Sequence, residues 1–419
     1  LFTKGKPVET HAFWEPPRRV SVLSESAALD RLDELLAATV SRELVGDVPL
    51  GVFLSGGLDS SAIAYYAQKN SAAPIHTFSI GFDEPDFDES AYARDVAAHI
   101  GSVHHERIVR AEDALALVTE LPDVLSEPIA DASVIPTLLL SRFARESVTV
   151  ALGGDGGDEL FAGYPTFSAD TISSPYRALP SWVRKGIRAG VDALPASVGN
   201  ISTSYALRKL VSSDEPNPVH RHMEWLGTFN KAERLLLAGP RLVEAVRETD
   251  VFEDIDRATA LFGQPDTGNR LLFAYARSYL MDQVLVKMDR ASMHYGLETR
   301  APFLDHTLAE FVFSLPYHYK YRNGTTKYLL KKLMEDKLPQ GIAHRKKKGF
   351  GIPLARWLRG PLRDFCLETL AEDKLRSQGY LNPEYVSKLI DDHMSGARDN
   401  RKELWNLMVF QIWRDRWVG

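Results

Sequence analysis

Short apolar runs alternate with longer segments of helical periodicity through the first part of the chain. The runs have the length of buried strands, and the segments between them repeat apolar residues at helical spacing. Strands that alternate with helices in this way indicate an α/β fold with a doubly wound parallel sheet. The strands are predicted at 51–54, 75–80, 104–109 and 148–152, and the helices at 60–69, 90–100, 111–118 and 135–146.

The second half of the chain is mostly helical in pattern. A stretch rich in Pro, Ser and Gly at 173–217 separates it from the first half. We therefore predict an α/β lobe at 24–195 and a mostly helical second lobe at 196–419. The helices of this lobe are predicted at 269–294, 306–314, 327–337 and 403–417.

Composition excludes several classes of partner. The 50 Lys and Arg against 56 Asp and Glu give a net charge of −6, which provides no field for nucleic acid or an anionic membrane. No apolar run approaches the roughly 20 residues that span a bilayer, and no secretory signal opens the sequence, so we expect a cytoplasmic protein. The one cysteine, Cys366, excludes an internal disulfide. It shares a helical face with Leu362 and Leu370, which predicts a buried structural thiol.

The segment at 51–61 predicts a buried strand, a glycine turn and a helix in succession. Gly56 and Gly57 permit a ligand to approach the backbone, and a helix start presents unpaired amide donors to an anion. Ser55 and Ser60 add hydroxyl donors. Because a carboxylate repels a polyphosphate unless a cation lies between them, Asp59 is interpreted as a magnesium ligand.

A second glycine-rich cluster at 152–164 follows the last predicted strand. The carboxyl ends of parallel strands meet at one edge of the sheet, so its acids Asp155 and Asp158 are expected to face the same pocket as Asp59. The alternative is a glycine-rich helix start that its acids stabilise through the helix dipole.

The Ser-Gly-Gly-Leu-Asp-Ser-Ser run at 55–61 resembles the PP-loop of ATP pyrophosphatases, and within them the asparagine synthetase group. This resemblance extends from about residue 29 to 417 and implies that ATP and Mg²⁺ are bound, with Asp59 and Asp158 sharing the metal. It also implies that ATP is cleaved between its α and β phosphates to activate a carboxylate, which ammonia then converts to an amide. The residues implied in ATP or pyrophosphate binding are Phe53, Leu54, Ser55, Gly56, Gly57, Leu58, Asp59, Ser60, Ile80, Gly153, Gly154 and Lys347.

Three residues are candidates for catalysis by the same resemblance. Asp155 stands where the family usually has a glutamate that assists ammonia attack, and Glu298 is a second candidate proton acceptor. Lys327 matches the lysine that neutralises the reacting phosphate. The alternative for Glu298 and Arg300 is an ion pair with each other. Lys331 and Lys332, which follow Lys327, are interpreted as surface lysines.

The carboxylate substrate is expected to be aspartate, with Asp131, Ser133 and Arg300 as its contacts. The family loop that helps to select aspartate carries threonine and arginine, whereas the matching stretch at 126–136 has no basic residue. An arginine there would pair with a second carboxylate of the substrate. The alternatives are therefore a synthetase that amidates a saccharide or peptide acid, an intramolecular cyclase of the β-lactam or lasso-peptide type, and a nucleotide-binding regulator without turnover.

Complete asparagine synthetases also carry an amino-terminal glutaminase domain. Residues 1–23, which include Phe13 to Pro17, resemble the linker that leaves that domain. The expected partners are therefore a small-molecule carboxylate, ammonia and a glutaminase domain or subunit, and a homodimer is allowed.

Overall fold

The computed structural model describes residues 14–194, 203–345 and 349–419. Within them, five strands form one parallel sheet in the order β3-β2-β1-β4-β5, and a separate antiparallel hairpin pairs β6 with β7. The strands are β1 Leu50–Phe53, β2 His76–Phe82, β3 Val103–Val109, β4 Val150–Leu152, β5 Glu298–Arg300, β6 Tyr321–Arg322 and β7 Thr325–Thr326.

Helices connect and cover these strands. In addition to α-helices, the chain forms a π-helix at Ala276–Val284 and 3-10 turns at Pro302–Leu304 and Tyr317–Tyr319. The α-helices are α1 Glu25–Glu43, α2 Leu58–Lys69, α3 Ser90–Ile100, α4 Ala111–Val124, α5 Val134–Arg145, α6 Gly157–Phe161, α7 Pro165–Arg177, α8 Ser181–Asp192, α9 Thr203–Ser212, α10 Pro218–Leu226, α11 Lys231–Leu237, α12 Val243–Glu248, α13 Glu253–Phe262, α14 Thr267–Tyr275, α15 Leu285–Met293, α16 His306–Ser314, α17 Tyr328–Met334, α18 Leu354–Arg359, α19 Arg363–Thr369, α20 Glu372–Gln378, α21 Pro383–Met394 and α22 Arg401–Trp417.

The predicted doubly wound parallel sheet is confirmed. Strand β1 is central and fully paired, with Val52 opposite Thr77 of β2 on one side and Leu152 of β4 on the other. Successive side chains of β1 enter opposite cores, Val52 on one face of the sheet and Phe53 on the other. The strand order reverses between β1 and β4, which is where open α/β sheets form a ligand crevice.

The second half of the chain contributes to this sheet as well as to the helical lobe. Strand β5 pairs Glu298 with Val150 and so adds an edge to a sheet that we had confined to 24–195. Helix α22 buries Trp405 in the same core as Phe78 of β2. The division at residue 195 itself lies outside the described residues, as do residues 1–13.

Two further expectations concern burial. Cys366 is fully buried in the core that contains Phe53, and burial raises the pKa of its thiol to about 12, so the prediction of a structural thiol is confirmed. Among the described residues, none of the helices combines the length and apolar character that crossing a membrane requires.

A buried ion pair ties the helical lobe together. The Arg221 guanidinium, 2% exposed, donates to Asp170 Oδ1 from Nη2 at 2.6 Å and from Nε at 3.2 Å. It also donates to the Glu215 carbonyl at 2.8 Å. Burial alone would raise the pKa of Asp170, but the nearby His222 and Arg221 outweigh it and lower that pKa to about 2. Helices α7 and α10 are thereby joined.

Asp170→Asn should lower the free energy of unfolding at pH 7 by about 3 kcal/mol, because it leaves the buried guanidinium without its countercharge. A carboxyl group whose pKa is lowered in the folded state stabilises the folded protein at pH values above its pKa in the unfolded chain, about 3.9. The difference in free energy of unfolding between the parent protein and Asp170→Asn should therefore shrink as the pH falls from about 4 towards about 2. Urea unfolding at a series of pH values measures this difference. The control is Asp214→Asn, which breaks the more exposed pair with Arg184 and should cost less than about 1 kcal/mol.

Candidate active site

The loop between β1 and α2 has the geometry expected of a phosphate-binding turn. Gly56 has φ of +69°, and a Cβ on it would lie 2.6 Å from the backbone nitrogen of Ala93, so a side chain is excluded there. Ser55 Oγ accepts from the Gly57 amide at 3.3 Å and lies 3.0 Å from Ser60 Oγ. The two hydroxyls thus hold the loop in one shape beside the start of α2.

Three charged side chains from distant parts of the chain converge next to this loop. The Lys327 ammonium forms ion pairs with Asp59 and with Asp158, whose Oδ1 lies 2.5 Å away. All three side chains are largely buried, with exposed fractions of 5%, 14% and 11%. The structure therefore places both predicted metal-binding carboxylates around one cationic group.

The glycines of the second cluster make this convergence sterically feasible. A Cβ on Gly157 would lie 2.7 Å from the Asp59 carboxylate, and one on Gly154 would lie 2.9 Å from the Ser60 amide. A Cβ on Gly163 would lie 1.9 Å from Asp158 Oδ1. Side chains at these positions would separate the two strand ends, so the glycines are required for close approach of β4 to the phosphate loop.

The backbone of Lys327 has an unusual conformation. Its φ is +54°, in the left-handed region that non-glycine residues seldom adopt. The Lys327 amide donates to the Phe161 carbonyl at 3.0 Å, which ties the start of α17 to α6. Strained residues of this kind persist where surrounding contacts hold them, and they concentrate at functional sites.

These residues line one cavity at the carboxyl ends of β1, β2 and β4. Its wall also includes Glu159, whose carboxylate accepts a hydrogen bond from the Tyr164 hydroxyl at 2.5 Å, and Tyr164 stacks on Tyr275 with ring centroids 5.5 Å apart. We had not singled out Glu159 or Tyr164 from the sequence. The predicted residues that line the cavity are Phe53, Leu54, Ser55, Gly57, Leu58, Asp59, Ser60, Ile80, Gly153, Gly154, Asp155, Asp158 and Lys327.

Arg345 closes the cavity from the carboxyl-terminal part of the chain. It donates to the Gly56 carbonyl at 2.8 Å and to Glu89 at 2.5 Å, and it stacks 3.5 Å over the Tyr92 ring. Gly56, one of the predicted ATP-binding residues, thus accepts a hydrogen bond from Arg345 at its carbonyl oxygen. Lys347, which we predicted to bind pyrophosphate, lies outside the described residues.

Glu298 and Arg300 are not brought to this cavity. Their side chains form an ion pair at 2.6 Å on β5, and the Glu298 side chain is 55% exposed. Arg300 also donates to the carbonyls of Glu43 and Val45 at 2.7 and 2.9 Å. The geometry corresponds to the ion-pair alternative, because strand alternation directs both side chains towards the end of α1.

Asp131 and Ser133 form a cluster with a lysine that the sequence pattern did not reveal. Lys287 of α15 donates to Ser133 Oγ at 2.8 Å and lies 3.3 Å from Asp131 Oδ2. Burial would raise the pKa of Asp131, but Lys287 and the Ser133 amide and hydroxyl together lower it. The loop at 126–136, which lacks a basic residue, therefore obtains one from α15. These three residues are not part of the cavity wall, although Val284 and Met288 beside Lys287 are.

Lys331 requires a correction. We interpreted it as a surface lysine, but it is half-buried and lines the cavity one turn after Lys327. Lys332 does lie on the surface, where it pairs with Glu25. Helix α17 begins at Tyr328, and its direction relative to the cavity could not be deduced from sequence.

The donor set fits a magnesium ion that arrives with a nucleotide. Mg²⁺ in such sites is held by one or two carboxylates together with phosphate oxygens and water. Asp59 and Asp158 supply two buried carboxylates that already surround a single positive charge. The described residues contain no group of three or more His, Cys, Asp or Glu side chains that could hold a metal.

Comparisons with known proteins identify a family whose model matches most of the chain. Residues 31–415 match the family model described as asparagine synthase. The chain is 28% identical over 394 residues to asparagine synthetase [glutamine-hydrolyzing] 1 of Bacillus subtilis, covering 93% of this chain and 59% of that protein. It is 30% identical to asparagine synthetase [glutamine-hydrolyzing] 3 of the same organism, covering 82% and 53%. Amidase chry2 of Gibberella zeae is 24% identical, covering 94% and 63%. The chain thus spans less than two thirds of each of these relatives.

Gly163→Ala should reduce by about 100-fold the ATP turnover that we propose below, because the added methyl group displaces Asp158 and Lys327 by the roughly 1 Å that is enough for such a loss. The rate is measured as AMP formation. Gly190→Ala is the matched control, since a Cβ there meets no atom within 4 Å, and it should leave the rate unchanged. Equal rates for both variants would show that turnover does not depend on this close approach.

Proposed function

Because this chain belongs to the asparagine synthase family, we propose that it is an ATP-dependent, AMP-forming carbon–nitrogen ligase that converts a carboxylate to an amide. The observation that carries this proposal is the convergence of Asp59, Asp158 and Lys327 beside the phosphate loop. A protein that only senses a nucleotide has no need for such a group of charges at the reacting phosphate.

The proposed reaction has two steps. A carboxylate oxygen attacks the α-phosphorus of ATP, the bond from that phosphorus to the bridging oxygen breaks, and pyrophosphate leaves. The nitrogen of ammonia then attacks the acyl carbon of the adenylate, the bond to the AMP oxygen breaks, and the attacking nitrogen gives up a proton. ATP is needed because an ionised carboxylate has no leaving group that ammonia can displace.

Each charged residue has a role in this proposal. Lys327 stabilises the negative charge that develops on the reacting phosphate, and the backbone amides at the start of α2 orient that phosphate. Asp155 is the proton acceptor, since it lines the cavity whereas the other candidate, Glu298, is largely exposed and paired with Arg300. Asp59 and Asp158 would hold Mg²⁺. When bound, Mg²⁺ supplies Lewis-acid stabilisation of the phosphate oxygens.

We propose aspartate as the substrate and ammonia as the nitrogen source, in line with the names of the two Bacillus relatives. A glutaminase domain or subunit would supply that ammonia. Acids other than aspartate are the second candidate. It is favoured by the loop at 126–136, which has no basic residue of its own and whose neighbour Lys287 is already paired with Asp131. The amidase named among the relatives also favours it.

The test is an incubation with ATP, Mg²⁺, ammonium and a panel of carboxylic acids, read out as AMP, pyrophosphate and amide. We expect stoichiometric AMP and amide with aspartate. Product with a saccharide or peptide acid would identify the second candidate, and no AMP with any acid would contradict a ligase. Glutamine in place of ammonium should give no product with this chain, because its one cysteine is buried with its pKa raised to about 12.

Lys327→Ala should lower the rate of AMP formation by about 100-fold or more, as loss of a preorganised donor to a developing anion does. Lys327→Arg should recover little activity, since a planar guanidinium cannot replace a compact ammonium between two carboxylates. Lys332→Ala, on the same helix but exposed, is the control and should change the rate little. Similar losses in the alanine variants at both positions would indicate damage to α17 and would remove Lys327 from the mechanism.

A further inference from the structure

The described part of the cavity wall contains more negative than positive side chains. Among the described residues that line it, five carry carboxylates and three are cationic. Among the described residues, a triphosphate is therefore best met by a cation that no carboxylate already engages. The acids are Asp59, Glu89, Asp155, Asp158 and Glu159, and the cations are Lys327, Lys331 and Arg345.

Two of the three cations are already engaged by carboxylates. Lys327 is paired with Asp59 and Asp158, and Arg345 is paired with Glu89. Lys331 differs, because no carboxylate of the described residues lies within ion-pair distance of its ammonium. Its hydrogen bond goes to the hydroxyl of Thr326 at 3.4 Å, which is a long contact.

Lys331 is held at the phosphate-loop side of the cavity. Burial lowers the pKa of its ammonium, the nearby Lys327 lowers it further, and Asp59 acts in the opposite direction. Those two neighbours are residues of the phosphate site.

The local fold fixes this position. Thr326 ends the β6–β7 hairpin, whose turn has φ of +50° at Asn323 and +81° at Gly324. Lys327 follows directly, and Lys331 continues one turn further along α17, where its amide bonds the Lys327 carbonyl at 2.8 Å. Both lysines consequently face the cavity from one short rigid segment.

Resting on the proposed function, we propose that Lys331 binds the pyrophosphate portion of ATP and the departing pyrophosphate, while Lys327 acts at the α-phosphate. Lys327 neutralises the metal-binding acids and the reacting phosphate. Lys331 forms no ion pair with an acid of the described residues and contacts the β- or γ-phosphate oxygens. A partly desolvated ammonium without a countercharge is costly, and an anionic ligand offsets that cost.

The experiment measures binding of inorganic pyrophosphate with Mg²⁺, and of AMP, by calorimetry on the full chain. Lys331→Met should weaken pyrophosphate binding by at least 10-fold and leave AMP binding unchanged, while Lys331→Arg should retain part of the affinity. Lys332→Met, exposed on the same helix, is the control and should match the parent protein. In turnover, the KM for ATP should rise for Lys331→Met.

Two outcomes would overturn the assignment. A higher KM for the carboxylic acid with unchanged pyrophosphate affinity would place Lys331 at the acceptor substrate. An equal loss of AMP and pyrophosphate affinity, with a lower unfolding temperature, would mean a structural role. The binding measurements require no turnover. If amide synthesis failed with every acid, the proposed function would be refuted, and the pyrophosphate titrations would still decide whether Lys331 binds pyrophosphate.

Discussion

The structure of the candidate active site depends on the attraction between one ammonium and two carboxylates that are largely buried. Burying any of these charges alone is unfavourable, so Asp59, Asp158 and Lys327 are stable only together or with equivalent ligands. They come from the first turn of α2, from α6 and from the residue between β7 and α17. The fold must therefore bring three distant segments within a few ångströms of each other, and the glycines and the left-handed backbone at Lys327 are what this requires.

The same charges connect the sheet to the helical part of the chain. The Lys327 amide donates to the Phe161 carbonyl of α6, and Arg345 donates to the Gly56 carbonyl of the phosphate loop. Residues from the second half therefore hold both α6 and the phosphate loop. Replacement of the protein's own ion pairs by a metal and phosphates would alter these contacts. Ligand binding and the docking of α17 are for that reason energetically linked.

The sequence predicted the parallel sheet, the phosphate loop and the grouping of Asp59 with Asp158, because these follow from strand periodicity and from the rule that parallel strand ends share one edge. It did not predict which way a short helix turns, so Lys331 was assigned to the surface. Nor could it show that Glu298 and Arg300 project from β5 towards α1, since a three-residue strand has no pattern that reveals its face. The partner that Lys287 provides for Asp131 is a contact between distant segments, which single-sequence periodicity does not encode.

The position of strand β5 in the sequence has a consequence for how the protein folds. It pairs with β4 across all the intervening helices, a parallel contact of very high sequence separation. Such pairings carry a large loop-closure entropy and form slowly. During synthesis, the phosphate loop, Asp59 and Asp158 emerge before β5 and before Lys327, the ammonium with which the two acids pair. The paired charges of the site and the edge of its sheet therefore form only after the residues of the second half have been made.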